Sequence, residues 1–193
     1  MNNYLASSSP RRKEILNSLG LNPIVISAAH AEKFSEKFSA EENCMSIAFQ
    51  KAQAAIEKFN PLGLVIASDT TVVIENHILN KPIDRDDARN MLMFMRGKTH
   101  RVLSGFCLIH TLEKWKIVDM DCSYVAFKKF TMEELEYYLD SGEYKDKAGA
   151  YGIQGKAVDL ISSYQGSLFN IIGLPIEKMA NYWSELKVKI DER

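Results

Sequence analysis

The chain is 193 residues long, 46% apolar and 25% charged, with a net charge of −1, which suits one large globular domain or two small lobes, with ample material for a core. A balance this near neutral gives no bulk positive field for nucleic acid, so any basic site must be local. Three cysteines, Cys44, Cys107 and Cys122, are too few and too scattered for a disulfide framework or a zinc site, and no apolar run or leader suggests a membrane span or export, so a cytoplasmic protein is expected.

Tyr4 to Ala6 is predicted as a buried strand that runs into Ser7-Ser8-Ser9-Pro10-Arg11-Arg12. Ser9 is a good N-cap and Pro10 suits the first helical position, so a helix should run to a stop at Gly20. Arg11 and Arg12 then fall in its first turn, where the helix dipole is already positive. Two cations there, beside free backbone N–H groups, make either an anion site, most simply for phosphate, or two solvated arginines. Pro23 to Ser27 is predicted as a second strand, followed by a polar stretch that contains Glu32. Ser39 and Glu42 form a capping-box pattern for a long helix to about Phe59, with Met45, Ala48, Ala52, Ala55 and Phe59 on its apolar side. Lys51 lies beside that stripe, where it either reaches toward a cleft or stays an ordinary solvated lysine.

Leu64 to Ser68 is a continuous apolar run, as in a strand buried on both faces, and it delivers Asp69 and Thr70 at its carboxyl end. No helix follows. A second strand-like run, Thr71 to Glu75, turns at Asn76-His77 and returns through Ile78 and Leu79. Asp69 thus interrupts two strands and caps nothing, which favours a metal ligand or general base. Pro82 holds Lys81 extended. Asp84 should cap a helix with Ala88, Met91, Leu92 and Met95 on one face, closed by Gly97. Two long strands are predicted, His100 to Thr111 and Trp115 to Phe127, and Thr131 with Glu134 boxes another helix ending at Gly142. The stretch from Asp146 to Gly155 has three glycines in seven residues, at 149, 152 and 155, and so admits close backbone approach without being a Walker loop. Ala157 to Ser162 and Leu168 to Ile172 are predicted as strands, and Pro175 to Leu186 as the last helix. The four histidines have no metal-ligand spacing. His77 is expected in a turn and His100 at a strand start.

Together, Ser7-Ser8-Ser9-Pro10-Arg11-Arg12, Asp69-Thr70, Lys81-Pro82, Gly97-Lys98-Thr99-His100, the stretch from Asp146 to Gly155, and Gly173-Leu174-Pro175 resemble the motifs of the Maf family of nucleotide pyrophosphatases, in family order. The resemblance implies one α/β domain over residues 1–193, an elongated mixed β-sheet flanked by helices, with two lobes around a central cleft as in inosine triphosphatases. It implies hydrolysis of a nucleoside triphosphate to monophosphate and pyrophosphate with Mg²⁺ or Mn²⁺. By motif match Asp69 takes the catalytic acidic position. Ser7, Arg11, Arg12, Glu32, Lys51, Lys81 and Gln154 take the other polar positions, with Asp69 and Glu32 as the metal ligands. Ala28-Ala29-His30-Ala31 stands where the family often has acidic residues, and Ala67-Ser68 where Gly-Ala is common. Arg11, Thr70 and Gln154 are similar to the set in the branch acting on dTTP and UTP. The branch acting on 7-methyl-GTP tends to carry tryptophan, glutamine and glutamate there. The chemistry agrees, since the Gln154 amide both donates and accepts toward the acceptor-donor-acceptor edge of thymine or uracil.

The expected partner is therefore a nucleoside triphosphate, with no nucleic acid and no membrane, and a homodimer left open. Asp69 would orient or deprotonate the attacking water, and the cations would hold the phosphates and stabilise the leaving pyrophosphate. Two rivals remain: a non-catalytic nucleotide-sensing regulator of cell division, and a pyrophosphatase for inosine or xanthosine triphosphate.

Overall fold

The computed structural model describes residues 2–28 and 33–191. Its strands are β1 (Asn3–Leu5), β2 (Ile24–Val25), β3 (Leu64–Ile74), β4 (His77–Leu79), β5 (Thr99–His110), β6 (Trp115–Phe127) and β7 (Ile161–Gln165). Its helices are α1 (Pro10–Ser18), α2 (Ala40–Phe59), α3 (Arg85–Met95), α4 (Met132–Asp140), α5 (Leu168–Ile172), α6 (Ile176–Met179) and α7 (Ser184–Asp191). The strands form one mixed sheet in the order β2-β1-β3-β5-β6-β7, with β4 beside β3. This is the expected α/β class. The chain divides into two compact units, Met1–Asp69 with Ser104–Asp121 and Gly173–Arg193, and Thr70–Leu103 with Cys122–Ile172. It passes between them inside β3, β5 and β6 and again after Ile172.

In the first unit β1 pairs in parallel with β2 (Tyr4 opposite Ile24) and with β3 (Tyr4 opposite Val65). Parallel neighbours need crossover connections, and α1 and α2 supply them. The α2 start carries a full capping box: Ser39 Oγ accepts from Glu42 N–H, and the Glu42 carboxylate accepts from Ser39 N–H at 2.7 Å. Ala48, Ala52 and Ala55 are fully buried against Ala6, Val65, Ala67 and Cys107. Small side chains on that face let the helix axis approach the sheet closely. The buried stripe is rotated from the predicted one. Cys44 and Ile47 are buried with the alanines, and Phe59 is 43% exposed.

In the second unit the β3–β4 hairpin turns at Glu75 and Asn76, both at positive φ, 47° and 66°, as a tight hairpin turn requires. His77 opens β4 and is not a turn residue; its ring stands edge-on to Phe94. α3 and α4 bury Leu92, Met95, Leu135 and Tyr138 in a core with Val72, Val102, Phe127 and Phe130. Asp84 and Thr131 cap these helices as predicted. Four predicted elements differ. β3 runs unbroken through Asp69 and does not stop there. Residues 156–160 form a 3-10 turn before β7, and 168–172 form a short helix, not strands. Ser167 Oγ accepts from Asn170 N–H at 3.0 Å and starts that helix, while the Asn170 amide donates to Val102 O and Ser123 Oγ. The last predicted helix is two helices, α6 and α7.

Candidate active site

The first unit holds five of the predicted site residues: Ser7, Arg11, Arg12, Lys51 and Asp69. Ser9 is the N-cap of α1 by backbone angles, but its side chain makes no capping bond, and the first turn has no acidic residue. Its N–H donates to Ser7 Oγ instead, at 3.3 Å. The two arginines behave differently. Arg12 is buried; its Nε donates to Gly173 O at 2.8 Å and its Nη1 to Ser7 Oγ at 3.0 Å. Arg11 is half-buried and makes no ion pair with any described residue. Gly173 O also accepts from the buried Ser68 Oγ at 2.9 Å. One main-chain carbonyl thus ties the start of α1 to the residue before Asp69. Two hydrogen bonds on one carbonyl use both of its lone pairs.

Asp69 Oδ1 takes an ion pair from Lys51 Nζ at 2.5 Å, with side-chain exposures of 14% and 17%. A pair this shielded from water is stronger than a surface pair, because less solvent screens it. The main-chain carbonyl of Asp69 is held as well: it accepts from Cys44 Sγ at 3.3 Å. Lys51 is therefore not the solvated lysine that its position in sequence allowed. Glu32 lies outside the described residues. Among the described residues no group of three or more His, Cys, Asp or Glu side chains gathers as a ready metal site. Asp69 is a hard oxygen donor that suits Mg²⁺ or Mn²⁺. Such ions are commonly bound through one or two carboxylates and completed by substrate phosphates and water.

The second unit holds Thr70, Lys81 and Gln154. Thr70 is half-buried, and Lys81 and Gln154 are exposed. Their segments are tied through the glycine-rich loop. Gly149 N–H donates to Asn80 O, next to Lys81, at 3.1 Å. Gly149 has φ +67°, and a Cβ there would lie 3.0 Å from the methyl groups of Val72, two residues past Thr70. Farther on, Glu143 braces the turn that carries Gln154. Its carboxylate accepts from Lys156 N–H at 3.0 Å, and a Cβ on Gly155 would meet it at 2.4 Å. The Lys147 ammonium donates to Glu143 O.

Buried rings anchor the same loop. Tyr138 Oη donates to Ala150 O at 3.1 Å, and Tyr151 Oη lies 2.6 Å from His100 Nε2. The Phe127 ring stands edge-on to both His100 and Tyr151. Burial lowers the His100 pKa to about 4 and raises those of Tyr151 and Tyr138. The imidazole is therefore neutral, and its Nδ1 is buried with no hydrogen-bond partner. His100 does sit at a strand start, and its pairing with the loop is what the linear sequence conceals. Ser68, Gly173, Cys44 and Glu143 were also missed as contributors. A seryl residue where alanine is common in the resembled motif was the one available signal for Ser68.

The chain matches the family model described as Maf-like protein over residues 2–186. A dTTP/UTP pyrophosphatase of Alkaliphilus oremlandii is 44% identical over 175 residues, which is 91% of this chain and 91% of that protein. A dTTP/UTP pyrophosphatase of Clostridioides difficile is 40% identical over 181 residues, 94% of this chain and 93% of that protein. A solved nucleoside-triphosphatase / dITP/XTP pyrophosphatase of Mycobacterium abscessus is 15% identical, covers 98% of both chains and has a TM-score of 0.47.

Proposed function

The chain belongs to the Maf family, and from that premise we propose that it hydrolyses dTTP and UTP to the monophosphate and pyrophosphate. The observation that carries this reading is the Gly173 carbonyl. It accepts from Arg12 on the first turn of α1 and from Ser68, the neighbour of Asp69, and so joins a phosphate-type helix start to a strand-borne carboxylate within one unit.

Asp69 is the catalytic carboxylate. It orients the attacking water toward the α-phosphorus and takes up its proton. Arg11 and the uncapped N–H groups at the start of α1 meet the phosphates, where the helix dipole adds to the positive charge. Lys51 keeps one of its three ammonium donors on Asp69 and faces the same negative charge with the others. Arg12 holds Ser7 and Gly173 in place. In the second unit Lys81 is a further cation for the phosphates. Thr70 and Gln154 belong to base selection, with the Gln154 amide facing a pyrimidine edge that needs one donor and one acceptor. A divalent cation held by Asp69 and the triphosphate, with Glu32 as the second acidic candidate, would supply charge neutralisation and a more acidic bound water.

The test is a panel of dTTP, UTP, ITP and 7-methyl-GTP with Mg²⁺, followed by pyrophosphate release. Turnover of dTTP and UTP that disappears in Asp69→Asn is expected, and a chelator should stop it reversibly. Tight binding without turnover would make the protein a sensor, and preference for ITP would make it a purine enzyme.

A further inference from the structure

We propose that Cys44 is a positioning residue for Asp69, so that helix α2 and not the sheet alone sets where the reacting carboxylate stands. This rests on Asp69 being the catalytic group.

The Cys44 side chain is 1% exposed. Its Sγ donates to Asp69 O at 3.3 Å and accepts from Gly105 N–H at 3.0 Å. Asp69 lies on β3 and Gly105 on β5, which are neighbours in the sheet. Neighbouring strands ordinarily bond N–H to C=O directly. At this point the donor of one strand and the acceptor of the other meet the same sulfur. A thiol is a weak donor and a weak acceptor, so the arrangement adds little hydrogen-bond energy. What it adds is a link to a third element.

That link is built tightly. A Cβ on Gly105 would lie 2.6 Å from the Cys44 carbonyl carbon and oxygen and 2.8 Å from Met45 N. Only glycine admits a helix backbone so near the strand. Lys51 follows Cys44 by seven residues, two turns along the same helix face. It holds the other end of Asp69, the carboxylate, at 2.5 Å. One helix therefore grips the residue at its main-chain carbonyl and at its side chain. The capping box and the buried alanines fix the helix itself. Removing the thiol takes a partner from Gly105 N–H and from Asp69 C=O and releases one of the two grips. Small displacements of a reacting group lower turnover steeply, while substrate binding through other groups persists.

The experiment compares Cys44→Ala and Cys44→Ser with the parent and with Asp69→Asn, using dTTP as substrate. Cys44→Ala should lower kcat about tenfold while KM stays within about twofold. Cys44→Ser, which can still donate and accept, should recover kcat to within about threefold of the parent. Hydrogen exchange at the Gly105 amide should quicken in Cys44→Ala and slow again in Cys44→Ser. If Cys44→Ala does not fold, Cys44→Val removes the polar atom while filling the space, and it carries the same comparison. An unchanged kcat in the apolar variant overturns the proposal. So does an equal loss in the apolar and seryl variants, or a rise in KM at constant kcat. An active Asp69→Asn enzyme, or a parent without dTTP turnover, removes the reading of Asp69 and this proposal with it. An inactive Asp69→Asn beside a fully active Cys44→Ala removes this proposal alone.

Discussion

Arg11 and Arg12 are adjacent in the chain and differ in surroundings. Successive residues on an α-helix point about 100° apart, so neighbours in one turn meet different environments. Arg12 turns inward to Ser7 Oγ and Gly173 O. A lysine has no planar fork and cannot reach both acceptors in that geometry. Arg12→Lys should therefore destabilise the fold by about 1.5–3 kcal/mol, the range for hydrogen bonds to a charged group, read as a lower urea midpoint at constant m-value. Arg11→Ala should leave that midpoint unchanged and weaken triphosphate binding by roughly 1.5–3 kcal/mol if the guanidinium contacts phosphate, measured by calorimetry with a non-hydrolysable analogue. The opposite pattern would exchange their roles. The Ser-Ser-Ser-Pro-Arg-Arg signal was legible because a helix start is a local event. Which arginine turns inward was not, because the Gly173 carbonyl comes from a point 161 residues farther along.

At the scale of elements, the starts of α2, α3 and α4 could be read from sequence with both capping boxes correct. A cap depends on residues three apart, and nothing distant overrides it. Ser39→Ala should cost about 1 kcal/mol and show faster amide exchange in the first turn of α2. Cooperative unfolding with unchanged exchange there would deny the box its role. The face that α2 buries was only partly legible. Ala48, Ala52 and Ala55 were predicted inward, but Phe59 is exposed and Ile47 takes an inward place. Several arcs of that helix are apolar enough to be buried, and the close approach to Gly105 selects one of them. The run at 168–172 is too short for periodicity to separate strand from helix. The decision falls to Ser167 and Asn170, whose partners Val102 and Ser123 lie far away in sequence.

For the molecule as a whole, acid stability should report on His100. The unfolded imidazole titrates near 6.5 and the folded one near 4. Between those values the unfolded chain binds a proton that the folded chain refuses. Stability is then fully present above about pH 6.5 and falls as pH drops toward 4, by on the order of 3 kcal/mol at most. Thermal unfolding at pH 7 and pH 4.5 measures it, and His100→Leu should flatten that part of the profile, although its Tm at pH 7 should fall through loss of the Tyr151 contact. An equal slope in both proteins would exclude His100 as the cause. The amino-acid sequence by itself determined the α/β class, the starts of α1 to α4, the buried run from Leu64 to Ser68 that leads into Asp69 and the membership of one family. These follow from periodicity, caps and motif order, all carried by residues near each other in the chain. Only the tertiary structure decided that Lys51 meets Asp69, that Arg12 and Ser68 share one carbonyl, and that a cysteine stands between two strands behind the carboxylate. Each of these joins residues brought together by packing, and burial then makes a handful of polar contacts specific.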